Sequence, residues 1–205
     1  KDGQTALMYA AKKNYPDIAA ELLVRGANKE ILNGAEKNAL ELAKEANSED
    51  VVKILEAWGD QETLDKEMFS AGIKGKGRLV SGLLRAGADL QAKDEEGRTG
   101  LSLLNIGLIV AAKEGSAENM NAFIEAGADV ETKSESGDNG LDIAVKRGHM
   151  AAAEAFLDHG ITCNNREECL QQCDDNRERI NKANKNLISA AEDGDNMKVE
   201  AALEE

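Results

Sequence analysis

One histidine and three cysteines form the group of side chains in this sequence that is best suited to metal binding. His159, Cys163, Cys169 and Cys173 follow one another at intervals of four, six and four residues. Imidazole nitrogen and thiolate sulfur are the usual ligands of structural zinc, and Cys169 and Cys173 would share one face of a helix. Structural zinc sites usually contain a closely spaced Cys-x2-Cys pair, which is missing here. We therefore expect no metal site and no cofactor, and interpret the cysteines as two free thiols on a helix and one in a loop.

The other candidates for chemistry are a cysteine nucleophile and a phosphate-binding loop. A nucleophilic cysteine needs a nearby base, and the chain has two histidines, His149 and His159, which the repeat pattern described below explains without catalysis. The glycines Gly72, Gly75 and Gly77 are interleaved with lysines, but their order is not Gly-x4-Gly-Lys-Ser/Thr. We predict that the chain has no catalytic residue and is not an enzyme.

Composition limits the classes of partner. The chain has 205 residues, with 39 Asp and Glu against 25 Lys and Arg, and a formal net charge of -14. This balance argues against binding to nucleic acid or to an anionic membrane, which both require a basic surface. No apolar run approaches the roughly 20 residues that span a bilayer. Three cysteines do not suggest a disulfide framework, so we expect a cytoplasmic, intracellular protein.

The elements that position these side chains come from an internal repeat of 33 residues. In each copy an opening residue precedes a closing glycine by 21 positions. Leu7, Ala10 and Ala11 fall on one face of a first short helix, and Leu22 and Leu23 on one face of a second. Helices of this length are not stable alone in water, so the units must stack to bury a shared core. The copies run over 5–26, 38–59, 66–87, 106–127 and 139–160, with an incomplete one from 185 to 205.

These copies resemble ankyrin repeats. The resemblance rests on the opening Thr5-x-Leu7-x-x-Ala10, on the mid-turn Gly148-His149, and on closing segments such as Leu83-Leu84-x-x-Gly87-Ala88-Asp89. It implies an all-α solenoid of stacked helix-turn-helix units with short hairpin tips. It also implies a non-enzymatic scaffold for protein–protein interaction.

The sequence departs from the family pattern at several places. The proline and histidine that usually follow the opening threonine are missing, although Thr or Asn at that position can still cap the helix. A repeat opens at Arg98–Leu104 and does not finish, which we interpret as residues missing from the sequence around 104–105. The breaks after Gly59 and Gly160 indicate short arrays joined in series. The segments are 1–60 with repeats one and two, 61–104 with a third repeat and the start of a truncated one, 105–160 with further repeats, 161–184 with an inserted polar helical segment, and 185–205 with a partial repeat.

The resemblance also indicates where a partner protein would bind. In ankyrin arrays the ends of the first helices and the hairpin tips form the concave binding face. Carried over to this chain, that face contains Lys12, Lys13, Glu45, Lys74, Glu95, Glu96, Arg98, Lys113, Glu114, Ser134, Ser136, Asp138, Lys146 and Arg147. Trp58 and Tyr15 are candidate aromatic anchors. The alternative is that these charges belong to ordinary solvated helix ends.

Two main functions remain open from the sequence, beside a less favoured third, a zinc-stabilised structural adaptor. The first is a protein-binding scaffold with no nucleic-acid binding and no membrane insertion. The second is a targeting arm of a larger enzyme or effector, which the start at Lys1 and the stop inside a repeat at Glu205 both permit. A full-length reading frame would distinguish them, because fold alone does not specify function.

Overall fold

A computed structural model describes residues 2–161, 163 and 166–192, and the side chains of this part except 190–192. Within these residues the chain is all-α, and its only β pairing is two isolated bridges, Lys93–Thr99 and Lys133–Asn139, at hairpin tips. This agrees with the expected ankyrin-repeat solenoid of helix pairs. The helices are α1 Ala6–Lys13, α2 Pro16–Val24, α3 Ala39–Glu45, α4 Glu49–Ala57, α5 Gln61–Ile73, α6 Gly77–Ala86, α7 Gly100–Glu114, α8 Ala117–Glu125, α9 Gly140–Arg147, α10 Met150–Asp158 and α11 Arg166–Glu192.

Three of the first helices begin with a reciprocal cap. Asn38 accepts a hydrogen bond from the Glu41 amide, and the Glu41 carboxylate accepts one from the Asn38 amide, at 2.9 and 2.8 Å. Asn139 and Asp142 repeat this capping box at α9, and Thr5 caps α1. The predicted capping by Thr and Asn is confirmed, and the residue in the family's histidine position closes the box.

The first two repeats stack as the family pattern predicts. Helix α1 packs against α2 and α3, and α3 packs against α4. The contacts are made by small side chains, since Ala11, Ala19, Ala20 and Ala43 are fully buried. Small residues let the helix axes approach closely, which explains how a chain with 3% aromatic residues forms a core.

The third repeat does not continue this stack. Helix α6 packs most extensively against α2, the second helix of the first repeat, and also contacts α4 and α5. The contact between α6 and α2 is so close that a Cβ atom added at Gly82 would lie 2.9 Å from the backbone of Pro16 and 2.5 Å from Ile54 Cδ1. The chain therefore turns back after Gly59, and α6 covers the second helices of the first two repeats.

The truncated repeat and the one after it share a single helix. α7 runs without interruption from Gly100 to Glu114, through the position near 104–105 where we interpreted residues as missing from the sequence. Thr99 lies 28 residues before Gly127, compared with 21 between Thr5 and Gly26. The seven additional residues make about two helical turns and preserve the buried face.

The side chains of that helix show why no partner helix is missing. Leu103, Leu104 and Leu108 are all at most 1% exposed, and Gly72 of α5 lies against Leu103. Leu104 is therefore packed without a further helix, whereas Leu101 is 40% exposed. Helix α5 is also long, with 13 residues, and it contacts α7 where Met68 lies near Gly100 and Gly72 lies near Leu103.

The described residues form two compact units. The first contains residues 2–111 and 118–129, and the second contains residues 112–117 and the described residues between 130 and 192. In the second unit α9 packs against α10 and α11, and α10 also contacts α11. One continuous helix, α11, extends through the predicted boundary between 184 and 185.

Candidate functional site

The predicted helix-end residues lie at the C-terminal ends of the first helices. Lys12 and Lys13 end α1, Glu45 ends α3, and Lys74 follows α5, all in the first unit. Their side chains are exposed to solvent, as the prediction requires. Cations at helix C-termini are also favoured by the helix dipole, so their position alone does not demonstrate binding. The second unit places Lys113, Glu114, Lys146 and Arg147 at the ends of α7 and α9, also exposed.

Some of these charges are paired within the chain. Lys37 forms an ion pair with Glu45, and Lys146 Nζ lies 2.6 Å from Asp138 Oδ1. The hydrogen bond from Lys146 holds the pKa of Asp138 below its ordinary value of 3.8. These pairs neutralise the charges that a partner would otherwise contact, and exposed pairs contribute little stability.

Four of the predicted lysines are different. Lys12, Lys13, Lys74 and Lys113 form no ion pair with any part of the chain that the structure describes. Each ammonium group is exposed at a helix end. These lysines are the candidate binding cations, three in the first unit and one in the second.

Two hairpin tips, at 94–98 and 134–138, are held by different side-chain contacts. In one tip Arg98 bonds Asp94 and Glu96 at 2.7 and 3.0 Å, and Gly97 has a φ of +77°. Glu95 and Glu96 are exposed at its apex. The other tip joins three side chains in a row: the hydroxyls of Ser134 and Ser136 are 2.9 Å apart, and Ser136 donates to Asp138 at 3.2 Å.

The two predicted aromatic anchors are only partly accessible to a partner, and a third aromatic residue is more exposed. Trp58 is half-buried, and Tyr15, although 40% exposed, lies under the Arg78 guanidinium at 5.4 Å from its ring centroid. Tyr9, which the sequence interpretation did not select, is 59% exposed on α1, the helix that ends in Lys12. The available signal was the helical pattern, because Tyr9 lies between two pairs of buried residues on that helix.

Arg78 forms an ion-pair network that the sequence did not reveal. Its guanidinium lies 2.9 Å from Glu118 and 3.5 Å from Asp17, so it links α6 with α8 and α2. These residues line a cavity of about 230 Å³ together with Arg85, which pairs with Glu21 of α2 at 3.4 Å. The arginines of this groove are occupied by carboxylates, which indicates a structural role.

His149 has the structural role that the repeat pattern predicts for the mid-turn. Its Nε2 lies 3.1 Å from the carbonyl oxygen of Lys113, so it links the turn before α10 to the end of α7. Arg147 adds a hydrogen bond from Nη1 to the same carbonyl at 3.3 Å. In this arrangement the histidine contacts backbone, and no cysteine is its partner.

The cysteines are arranged differently from the prediction. Cys163 and Cys169 form a disulfide bond, so the interpretation of Cys169 as a free thiol is wrong. Cys173 is a free, fully buried thiol whose Sγ lies 3.9 Å from the Ala144 carbonyl oxygen. Burial raises the pKa of Cys173. Among the residues that the structure describes, no three His, Cys, Asp or Glu side chains are grouped around a metal position.

A family model of ankyrin repeats, in three copies, matches residues 1–64. No curated protein matches the chain. The described residues contain no helix that is both long and apolar enough to cross a membrane; α11 has the length but is polar.

Proposed function

We propose that the chain, whose residues 1–64 match a family model of ankyrin repeats, is a non-enzymatic scaffold that binds another protein through its helix ends and hairpin tips. The lysines at the helix ends bind an acidic segment of that protein. The observation that carries this proposal is the set of exposed lysines that form no ion pair with the described part of the chain. A partner's carboxylates can pair with them without displacing an existing contact. Tyr9 is exposed on the same helix as Lys12 and Lys13 and supplies a large contact area.

The charge distribution supports an acidic partner although the chain itself is acidic. Its net charge is -14, so an acidic segment is repelled from most of the surface and is drawn to positions where cations are unpaired. Rim charges of this kind act mainly on the association rate and on specificity. Partner binding should therefore weaken as salt is added, because exposed charges are screened.

An intracellular location is part of the proposal. The low cysteine count supports it, because three cysteines in 205 residues are too few for a small disulfide-stapled scaffold. The Cys163–Cys169 disulfide is the observation against it, because stable disulfides are rare in the cytosol.

The test compares two variants of equal charge change in pull-down experiments. In the first, three lysines of the proposed face become glutamine, which preserves length and helix propensity: Lys12→Gln, Lys13→Gln and Lys74→Gln. We expect proteins captured by the wild type to be lost or strongly reduced. Circular dichroism checks that the helix content is unchanged.

The control removes three cations from the exposed side of α11, where no binding is proposed: Arg179→Gln, Lys182→Gln and Lys185→Gln. These should leave capture unchanged. If the face variant and the control retain the same proteins, the helix-end lysines do not form the binding site. If the wild type captures no protein above background, the scaffold function itself is refuted.

A further inference from the structure

The disulfide of the second unit lines an open pocket. Cys163 and Cys169 border a cavity of about 380 Å³, within the range of small-molecule sites. Gln172 of α11 also lines the cavity, and the opposite wall comes from α9 and its cap. That wall is formed by Asn139, Leu141, Asp142, Val145 and Lys146. A small molecule in this cavity would be in contact with the sulfur atoms.

The two sulfur atoms have different surroundings. Cys169 is the fourth residue of α11, where the first-turn amides have no intrahelical partner and the helix dipole favours an anion. Lys146, across the pocket, adds a positive charge, while Asp142 and the first-turn residues Glu167 and Glu168 oppose it. All four charges are on exposed side chains that solvent screens. Cys163 precedes the helix, so attack on Cys163 Sγ would leave the thiolate on Cys169, within the first turns of α11.

The third cysteine is kept apart from this pair. Cys173 lies one turn after Cys169, but its side chain is fully buried beneath α9. Asn176, one turn further on, donates a hydrogen bond to the Val145 carbonyl at 2.9 Å. Because these contacts join α11 to α9 independently of the disulfide, we expect the helix to stay in place when the disulfide is broken.

We propose that the Cys163–Cys169 disulfide is a modification site, at which a low-molecular-weight thiol enters the pocket and undergoes thiol–disulfide exchange. The incoming thiolate attacks Cys163 Sγ and forms a mixed disulfide. The Cys163–Cys169 bond breaks, and its electron pair remains on Cys169 as a thiolate at the start of α11. A second thiolate then attacks the added sulfur, which releases the oxidised small disulfide and leaves Cys163 reduced. Two thiols are oxidised as one protein disulfide is reduced.

This site accounts for a disulfide in a chain that is expected to lie inside a cell. Cytosolic disulfides, where they occur, are usually transient or redox-sensing. Exchange rates depend on access to the sulfur and on the leaving thiolate, and the pocket and the helix start supply these two conditions. The inference does not depend on the proposed binding of a partner protein.

The experiment incubates the 205-residue chain with mixtures of reduced and oxidised glutathione, quenches with acid, alkylates free thiols and maps the modified peptides by mass spectrometry. We expect the glutathione adduct on Cys163, alkylation on Cys169, and Cys173 unmodified until denaturant is added. Far-ultraviolet circular dichroism should be the same before and after reduction, because the contacts of Cys173 and Asn176 remain.

Two control variants make the result specific. Cys163→Ser removes the exchangeable pair, so Cys169 should alkylate at once without reductant. Cys173→Ala should leave the exchange at the pair unchanged. An adduct on Cys169 in place of Cys163 would overturn the proposal. So would free thiols at both positions in the oxidising mixture, or a disulfide that resists glutathione until the chain is unfolded.

Discussion

The return of α6 onto α2 is tested by adding one methyl group at Gly82. In a continuous stack this position would correspond to Glu21 of the first repeat, whose side chain is 38% exposed. In the structure the position is instead buried between α6, α2 and α4. Gly82→Ala should therefore stabilise the fold in a continuous stack, where position 82 would be partly exposed, and destabilise it in the arrangement observed here.

The magnitude follows from the contacts. A Cβ atom at position 82 would lie 2.9 Å from the carbonyl carbon and oxygen of Pro16, and 2.5 Å from Ile54 Cδ1. The side chain of Ile54 can move aside, but the Pro16 backbone moves only if the two helices separate. Overpacking of this kind costs about 2–3 kcal/mol, and the gain in helix propensity from glycine to alanine is about 1 kcal/mol. We expect a net loss of stability of about 1–2 kcal/mol.

Equilibrium urea unfolding measures this change, with circular dichroism for the helices and Trp58 fluorescence for the first unit. Ser81→Ala is the matched control, because Ser81 is the adjacent, half-buried residue of α6 and should be neutral or slightly stabilising. If Gly82→Ala instead raises the free energy of unfolding by about 1 kcal/mol, the gain expected from helix propensity alone, the close contact between α6 and α2 is wrong.

Three further predictions concern the hairpin tips. Glu36 has a φ of +58° at the position that glycine occupies in the other tips. Glu36→Gly should therefore raise the unfolding midpoint, because the free energy of unfolding increases by about 1 kcal/mol. Gly97→Ala, which would meet no atom within 4 Å but has a φ of +77°, should lower it by a similar amount. Unchanged midpoints in both would refute the strain. The pKa of Asp138 is depressed by the hydrogen bond from Lys146. The contribution of this carboxylate to the stability of the fold is therefore complete above pH 3.8 and is lost as pH falls through the folded pKa. A carboxyl titration by NMR should show this low value, and Lys146→Met should raise it; no rise would exclude the hydrogen bond as the cause.

The sequence was sufficient for the local structure. Thr5, Asn38 and Asn139 were expected to cap their helices, and each does so. The reason is that a capping bond and a helical face depend on residues within a few positions of each other, which the repeat pattern displays directly.

Two long-range features could not be obtained in the same way. The packing of α6 on α2 joins residues far apart in the chain, and its single trace in the sequence is the mid-helix Gly82, where other copies have Glu21 or Ile54. The continuous α7 arises because its two opening motifs, at Thr99 and Ile106, are seven residues apart. Each motif alone predicts a separate repeat, but two turns of helix satisfy both.

The candidate site was predicted in part for the same reason. The repeat frame placed the lysines at exposed helix ends, but it did not show which of them form ion pairs. Whether Lys146 is paired depends on the position of Asp138 in a neighbouring tip. The disulfide was missed because the spacing of Cys169 and Cys173 suggested one shared face, whereas α11 turns Cys173 inward against α9.

The contact between Pro16 and Gly82 has a consequence for how the first unit unfolds. In a simple repeat array each unit interacts with its neighbours alone, so the ends can fray while the centre remains folded. Here the first repeat is bound to the third across 66 residues of chain. Opening α2 therefore also exposes α6, and the two termini of this segment gain or lose order together. Such closure raises the mean sequence separation of contacts, which slows folding relative to a linear array of the same helices.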